Sequence, residues 1–168
     1  NQAGVYSAIV TTSNGCVDTT ATYTTTLFAD ADTTVTVSGP LDFCSYNDVT
    51  LTAAAGQSYS WSTVDTSQSI TVSQAGSYYA VVTTINGCVG TTAVQVTSLL
   101  ADADIAVTTS GSLDFCSHDS VSLSAASGQS YLWNTGDTTE SIISTMAGTY
   151  SVIVTTADGC TDTTAFNY

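Results

Sequence analysis

The chain has 168 residues, 43% of them apolar, with no Lys, no Arg, one His and 14 acidic residues, for a formal charge of −14. Without cations to displace counterions from phosphates, nucleic-acid binding is excluded, and an anionic membrane surface is disfavoured for the same reason. The same lack removes every trypsin-type cleavage site and every Lys-to-Asn isopeptide cross-link, while few charges and abundant Thr, Ser and Ala point to an extracellular setting.

In chain order, residues 1–28 read as the tail of a repeating unit. Gln2-Ala3-Gly4, Tyr6 and Asn14-Gly15-Cys16-Val17 stand 72 positions before Gln74-Ala75-Gly76, Tyr78 and Asn86-Gly87-Cys88-Val89, and 17 of the 28 residues match 73–100. There is no initiator Met, signal peptide or apolar run long enough to span a bilayer. The expectation is a window cut from a much longer secreted polypeptide, beginning partway through one unit and stopping about four residues short of completing another.

Residues 29–100 form the complete unit. Thr33 to Val37 predicts a first strand, and Val49-Thr50-Leu51-Thr52-Ala53 alternates apolar and polar as a half-buried strand does. Ser58 to Ser62 places Tyr59 and Trp61 on one face, and Ser69 to Val72 is a further short strand. Tyr78 to Thr84 and Val89 to Thr97 are the longest, joined through Asn86-Gly87, both of whose positions tolerate positive φ in a hairpin. No segment has helical periodicity, and about six or seven short strands in such a unit describe an all-β, two-sheet sandwich.

Residues 101–168 repeat it without a gap. Leu41-Asp42-Phe43-Cys44, Tyr59-Ser60-Trp61 and Asn86-Gly87-Cys88 return as Leu113-Asp114-Phe115-Cys116, Tyr131-Leu132-Trp133 and Asp158-Gly159-Cys160, and 38 of 68 positions are identical between 29–96 and 101–168. Such a period marks a tandem array. The domain expectation is therefore 1–28, 29–100 and 101–168. Leu99-Leu100-Ala101-Asp102 passes from one unit to the next with no Gly, Pro or Ser run to act as a flexible tether. Leu27-Phe28 and Leu99-Leu100 are apolar pairs where neighbouring domains, or parallel chains, would touch.

The five cysteines fall into place within the repeat. Cys44 with Cys88 and Cys116 with Cys160 make one pair per unit, and Cys16 is the second member of a pair whose first member precedes Asn1. The expectation is one disulfide per domain in an oxidising compartment. Each closed loop of about 45 residues would contribute roughly 4 kcal/mol. Metal-binding thiolates would need close Cys or His partners, which the spacing lacks.

Catalysis has little to stand on. His118 is the only histidine, its counterpart is Tyr46, and a nucleophile needs a base beside it; a solvent-facing turn residue is expected. The repeated acids Asp30, Asp32, Asp102 and Asp104 would, at i and i+2 on a strand, point the same way and offer oxygens to calcium, with Asp65 or Asp137 completing the shell. The alternative is solvated charge guarding edge strands, favoured by the absence of a dense Asp-rich loop.

The order of these signposts resembles one family: a Cys ahead of Val-x-Leu, Tyr-x-Trp, a Thr-Gly-Asp or Thr-Val-Asp turn, Ser-Ile, Ala-Gly-x-Tyr, then Gly-Cys. It is similar to the Ig-like and PKD-like tandem repeats of very large secreted Bacteroidetes surface proteins, and the resemblance covers the whole chain. It implies tandem Ig-like β-sandwich domains serving as stalks or fibres of gliding adhesins and surface attachment filaments. Cys88 follows a hairpin turn where antibody-type domains place it two residues after a Tyr, so the bond should tie an end of the sandwich and leave Trp61 and Trp133 without a sulfur partner. That group also modifies Asp-Thr or Asp-Ser motifs with O-glycans, which here would place them on Thr19, Thr33, Ser120, Thr138 and Thr163; chance matches are expected in so Thr-rich a chain.

The functional expectation is a structural, non-enzymatic segment of a giant extracellular stalk, secreted and attached to the cell surface. Its partners would be copies of itself in a filament or bundle, with surface or glycan ligands at a distant tip and no membrane insertion in this segment. A glycan-binding module, or spacers of a secreted hydrolase, are the alternatives.

Overall fold

The computed structural model describes residues 2–116 and 118–167, with backbone alone at 165–167. Nineteen strands form among the described residues. They begin with β1 (Gly4–Tyr6), β2 (Ile9–Thr11), β3 (Val17–Thr19) and β4 (Tyr23–Thr25). Within 29–100 follow β5 (Val35–Val37), β6 (Asp42–Phe43), β7 (Val49–Ala53), β8 (Ser58–Trp61), β9 (Ser69–Val72), β10 (Gly76–Tyr78), β11 (Ala80–Thr83), β12 (Val89–Thr91) and β13 (Gln95–Leu99). Within 101–168 follow β14 (Val107–Thr109), β15 (Val121–Ala125), β16 (Ser130–Trp133), β17 (Ser141–Ser144), β18 (Thr149–Thr155) and β19 (Thr161–Asn167).

The fold is all-β, built from small sheets. Their orders are β1-β4, β2-β3, β5-β7-β9, β12-β11-β8, β10-β13-β6, β14-β15-β17 and β16-β18-β19. Among the pairings with a described register only β13 with β6 is parallel. Contacts divide the chain into two units, one of Asn1–Thr36, Thr52–Ile70 and Tyr78–Val94, the other of Val37–Leu51, Thr71–Ser77 and Gln95–Tyr168.

The second unit contains a complete core. Val121, Leu123, Ala125 and Ile142 from one three-stranded sheet and Trp133, Val152 and Val154 from another form a single buried cluster with Ala103. Alternation along β15, buried at Val121, Leu123 and Ala125 and half-buried at the serines between, is what a strand with one covered face requires. The counterparts Val49, Leu51, Ala53, Trp61, Ile70, Val72, Ala80 and Val82 are buried likewise. Trp61 and Trp133 fill their sites as expected, each donating its indole N–H to a turn carbonyl, Ser67 at 2.9 Å and Thr139 at 2.8 Å.

Three boundaries differ from expectation, each for a local reason. The first strand begins at Val35 because Asp32 Oδ1 accepts the Thr34 N–H at 2.9 Å, turning the chain before the ladder starts; Asp104 does the same to Ala106. The two long strands of the complete unit break into β10 and β11 and into β12 and β13. Ala80 N–H donates to the Thr92 hydroxyl at 2.9 Å, so a side chain replaces a ladder acceptor. In the last unit β18 and β19 run unbroken and pair from Thr149↔Asn167 to Thr155↔Thr161.

The third concerns the hairpin. Gly87 alone has positive φ, at 81°. Thr84 N–H donates to Cys88 O at 2.8 Å, and Gly87 N–H returns to Thr84 O at 3.0 Å. This is a three-residue loop with its glycine at the left-handed position.

Candidate functional site

That hairpin occurs three times with one geometry. Thr12 and Cys16, Thr84 and Cys88, and Thr156 and Cys160 each share a 2.8 Å backbone bond and a 3.1 Å bond from the Cys N–H to the Thr hydroxyl. The glycines Gly15, Gly87 and Gly159 have φ of 84°, 81° and 86°. Each turn thus presents a cysteine in the same local setting. Their states differ.

Cys160 is fully buried and bonded to Cys44, with Cα atoms 5.6 Å apart. Cys16, Cys88 and Cys116 are free thiols, Cys16 and Cys116 exposed. The disulfide expectation is therefore corrected. Neither Cys44–Cys88 nor Cys116–Cys160 forms; the first cysteine of one repeat is joined to the second cysteine of the next, 116 residues on.

The topology gives the reason. β6 pairs with the end of β13, Asp42 opposite Ser98 and Phe43 opposite Leu99. Ser98 N–H donates to Leu41 O at 3.1 Å, Leu100 N–H to Phe43 O at 3.0 Å, and the Ser98 hydroxyl to Asp42. Cys44 therefore sits beside the point where the chain leaves one repeat for the next. Cys88 belongs to the hairpin that opens β12, and Cys160 to the corresponding hairpin that opens β19.

The same junction, all of it within the second unit, receives the following repeat. Ser45 N–H donates to Asp102 Oδ1 at 3.4 Å. Tyr46 reaches the first residue of β19, its hydroxyl accepting the Thr161 N–H at 2.9 Å and lying 3.3 Å from the Thr161 hydroxyl. Phe43 and Cys44 are buried, so the bond lies in a desolvated setting closed by polar contacts at its rim. This is a clasp, and it contains no acid–base pair.

The remaining candidates separate. Asp30, Asp32, Asp102 and Asp104 lie outside strands, so strand alternation does not align their carboxylates. Asp32, Asp102 and Asp104 each accept a backbone N–H instead. Among the described residues no three His, Cys, Asp or Glu side chains gather as a metal site would require. Hydrogen bonds from the Thr34 N–H and hydroxyl hold the Asp32 carboxyl below the ordinary range. Those from the Ser67 hydroxyl and N–H do the same for Asp65.

His118 is solvent-facing, its Nε2 3.8 Å from Asp119 Oδ1. Thr19, Thr33, Ser120, Thr138 and Thr163 are all exposed. The sequence reading missed Tyr46 as a contact, having treated it only as the counterpart of His118.

No model of a known protein family matches the chain, and no curated protein matches it. Among solved structures, one described for the host cell surface retention of a 1.5-MDa bacterial ice-binding adhesin is similar over 96% of this chain and 71% of its own, at 18% identity and a TM-score of 0.40. A likeness that loose defines neither a shared strand order nor a shared role.

Proposed function

We propose that the chain is a segment of a giant extracellular fibre or adhesin stalk. Consecutive Ig-like sandwiches, the tail 1–28 and the repeats 29–100 and 101–168, would transmit tension and hold a distant tip away from the cell. The observation that carries this reading is the Cys44–Cys160 bond, which joins two successive copies of the repeat where a fold-stabilising bond would join two parts of one.

A covalent tie at a joint does nothing for catalysis or for a ligand, and it restrains how far two modules can separate under load. Repetition of the cysteine turn supports the same reading, because the device belongs to the array and not to one copy. The charge of −14 keeps such arrays apart and soluble. O-glycans on the exposed Asp-Thr and Asp-Ser motifs would add to that shielding, and copies of the chain running in parallel would form the filament.

Imaging native particles by electron microscopy tests the proposal. Long fibres with an axial repeat of roughly 35–45 Å, about the length of one sandwich, are expected. Isolated globular particles would overturn it.

A further inference from the structure

We propose that Cys116 is an open socket for the Gly-Cys hairpin of a following repeat, so that the array is a ladder of interlocked covalent clasps. Cys116 occupies in its repeat the position of Cys44, within the same Leu-Asp-Phe-Cys-Ser segment. The Cys44 socket is already filled, and filled by a hairpin of the next repeat in the same polypeptide. The occupant is therefore visible on the sibling site, together with its backbone contacts to Tyr46 and its neighbour contact from Ser45 to Asp102.

The plug is preformed as well. The hairpins ending at Cys16 and Cys88 have the same two backbone bonds and the same positive-φ glycine as the one ending at Cys160, although neither is bonded. Loop conformation thus does not depend on the disulfide. Plug and socket differ by a constant 116 residues, so the rule pairs the first cysteine of every repeat with the second cysteine of its successor. Cys16 and Cys88 are, on this rule, plugs for sockets earlier in the array.

Closing the clasp removes one proton and one electron from each thiol. Both electrons pass to a disulfide oxidant, such as oxidised glutathione, which leaves as two thiols. Because 72 is less than 116, successive loops overlap. The shortest covalent path crosses from Cys44 to Cys160, follows 28 residues, and crosses again. Only about a fifth of the backbone, 28 of every 144 residues, lies on that path, so a pulled array lengthens to about a fifth of its unclasped contour.

The inference rests on the tandem-array reading and not on adhesion, and its test is biochemical. The full chain is extended after Tyr168 by a second copy of residues 97–168 carrying H118Y and T161S, which continues the repeat in register and gives the copy's two cysteine peptides masses of their own. It is then refolded in a glutathione redox couple, and cleaved with an aspartate-directed protease for mass spectrometry without reduction. The present chain has three free thiols and one bond. The extended chain, with seven cysteines, is expected to keep three free thiols and to gain a bond from Cys116 to the added counterpart of Cys160.

Five free thiols, or Cys116 bonded to Cys88 or Cys160, would overturn the inference. Should the longer chain fail to fold, C44S in the original chain supplies a second measurement. Its four remaining cysteines are expected to stay free, and ready formation of Cys116–Cys160 would overturn the pairing rule. Failure of Cys116 to pair leaves the Cys44–Cys160 joint, and with it the stalk reading, intact; globular native particles would do the reverse.

Discussion

Reducing the Cys44–Cys160 bond should release a defined length of hidden chain under force. When the oxidised protein is pulled from its ends, tension runs through residues 1–44, across the sulfurs, and out through 160–168. Those 53 residues, at about 3.5 Å each, extend to roughly 185 Å, whereas all 168 extend to roughly 590 Å. Reduction therefore exposes about 400 Å of contour, from the 116 chain steps the bond encloses. Two bonds inside the repeats, Cys44–Cys88 and Cys116–Cys160, would enclose 88 steps and release about 310 Å.

The difference of 28 steps, about 100 Å, lies well within single-molecule force spectroscopy, where the contour length is fitted before and after adding a phosphine reductant. A gain near 310 Å, or none, would refute the inter-repeat clasp. It would also remove the mechanical reading built on it.

Other outcomes follow from the same geometry. C160S and C44S should each lose about 5 kcal/mol in urea titrations, the chain-entropy value for a loop of this length, while C88S and C116S move stability by less than about 0.5 kcal/mol. Val64→Gly should raise stability by about 1 kcal/mol in the same titrations. Val64 holds a φ of 65° at an 89% exposed turn position where its counterpart Gly136 has a φ of 91°. In NMR pH titrations the carboxyls of Asp32 and Asp65 should protonate below the ordinary aspartate range, since both are lowered by hydrogen bonds. Their sign is that of a depressed acid: the stability they lend is present above about pH 4 and is lost as pH falls through the folded value.

Much of the fold was legible because period-2 patterning survives in short strands. Val49–Ala53 and Ser69–Val72 appear at their expected bounds, since apolar residues alternate there without interruption. What could not be read was where a side chain takes a backbone partner. Thr92 breaks a ladder and Asp32 delays one, and both look like ordinary polar residues in the pattern. The disulfide failed for a different reason. A repeat aligned with itself shows which cysteines correspond, but pairing depends on which end of the sandwich each occupies.

A joint between repeats can be held by buried apolar surface, by the stiffness of a short connection, or by a bond. Here the apolar option is partial, because Phe43 is buried while Leu99, opposite it, stays 40% exposed. A short connection fixes distance along the chain but not the angle between modules, and like charges on both sides add repulsion that salt screens only beyond about 8 Å. The bond supplies what the other two do not, at a site where Cys160 has no exposure. Burial is also what separates a spent clasp from an open one, for the unbonded Cys16 and Cys116 stand in solvent. A thiol-reactive probe should therefore label those two rapidly and leave Cys44 and Cys160 untouched. Labelling of Cys160 in the unreduced chain would mean that its sulfur is not bonded to Cys44, and a stalk without that bond would lack the covalent tie held to bear its tension.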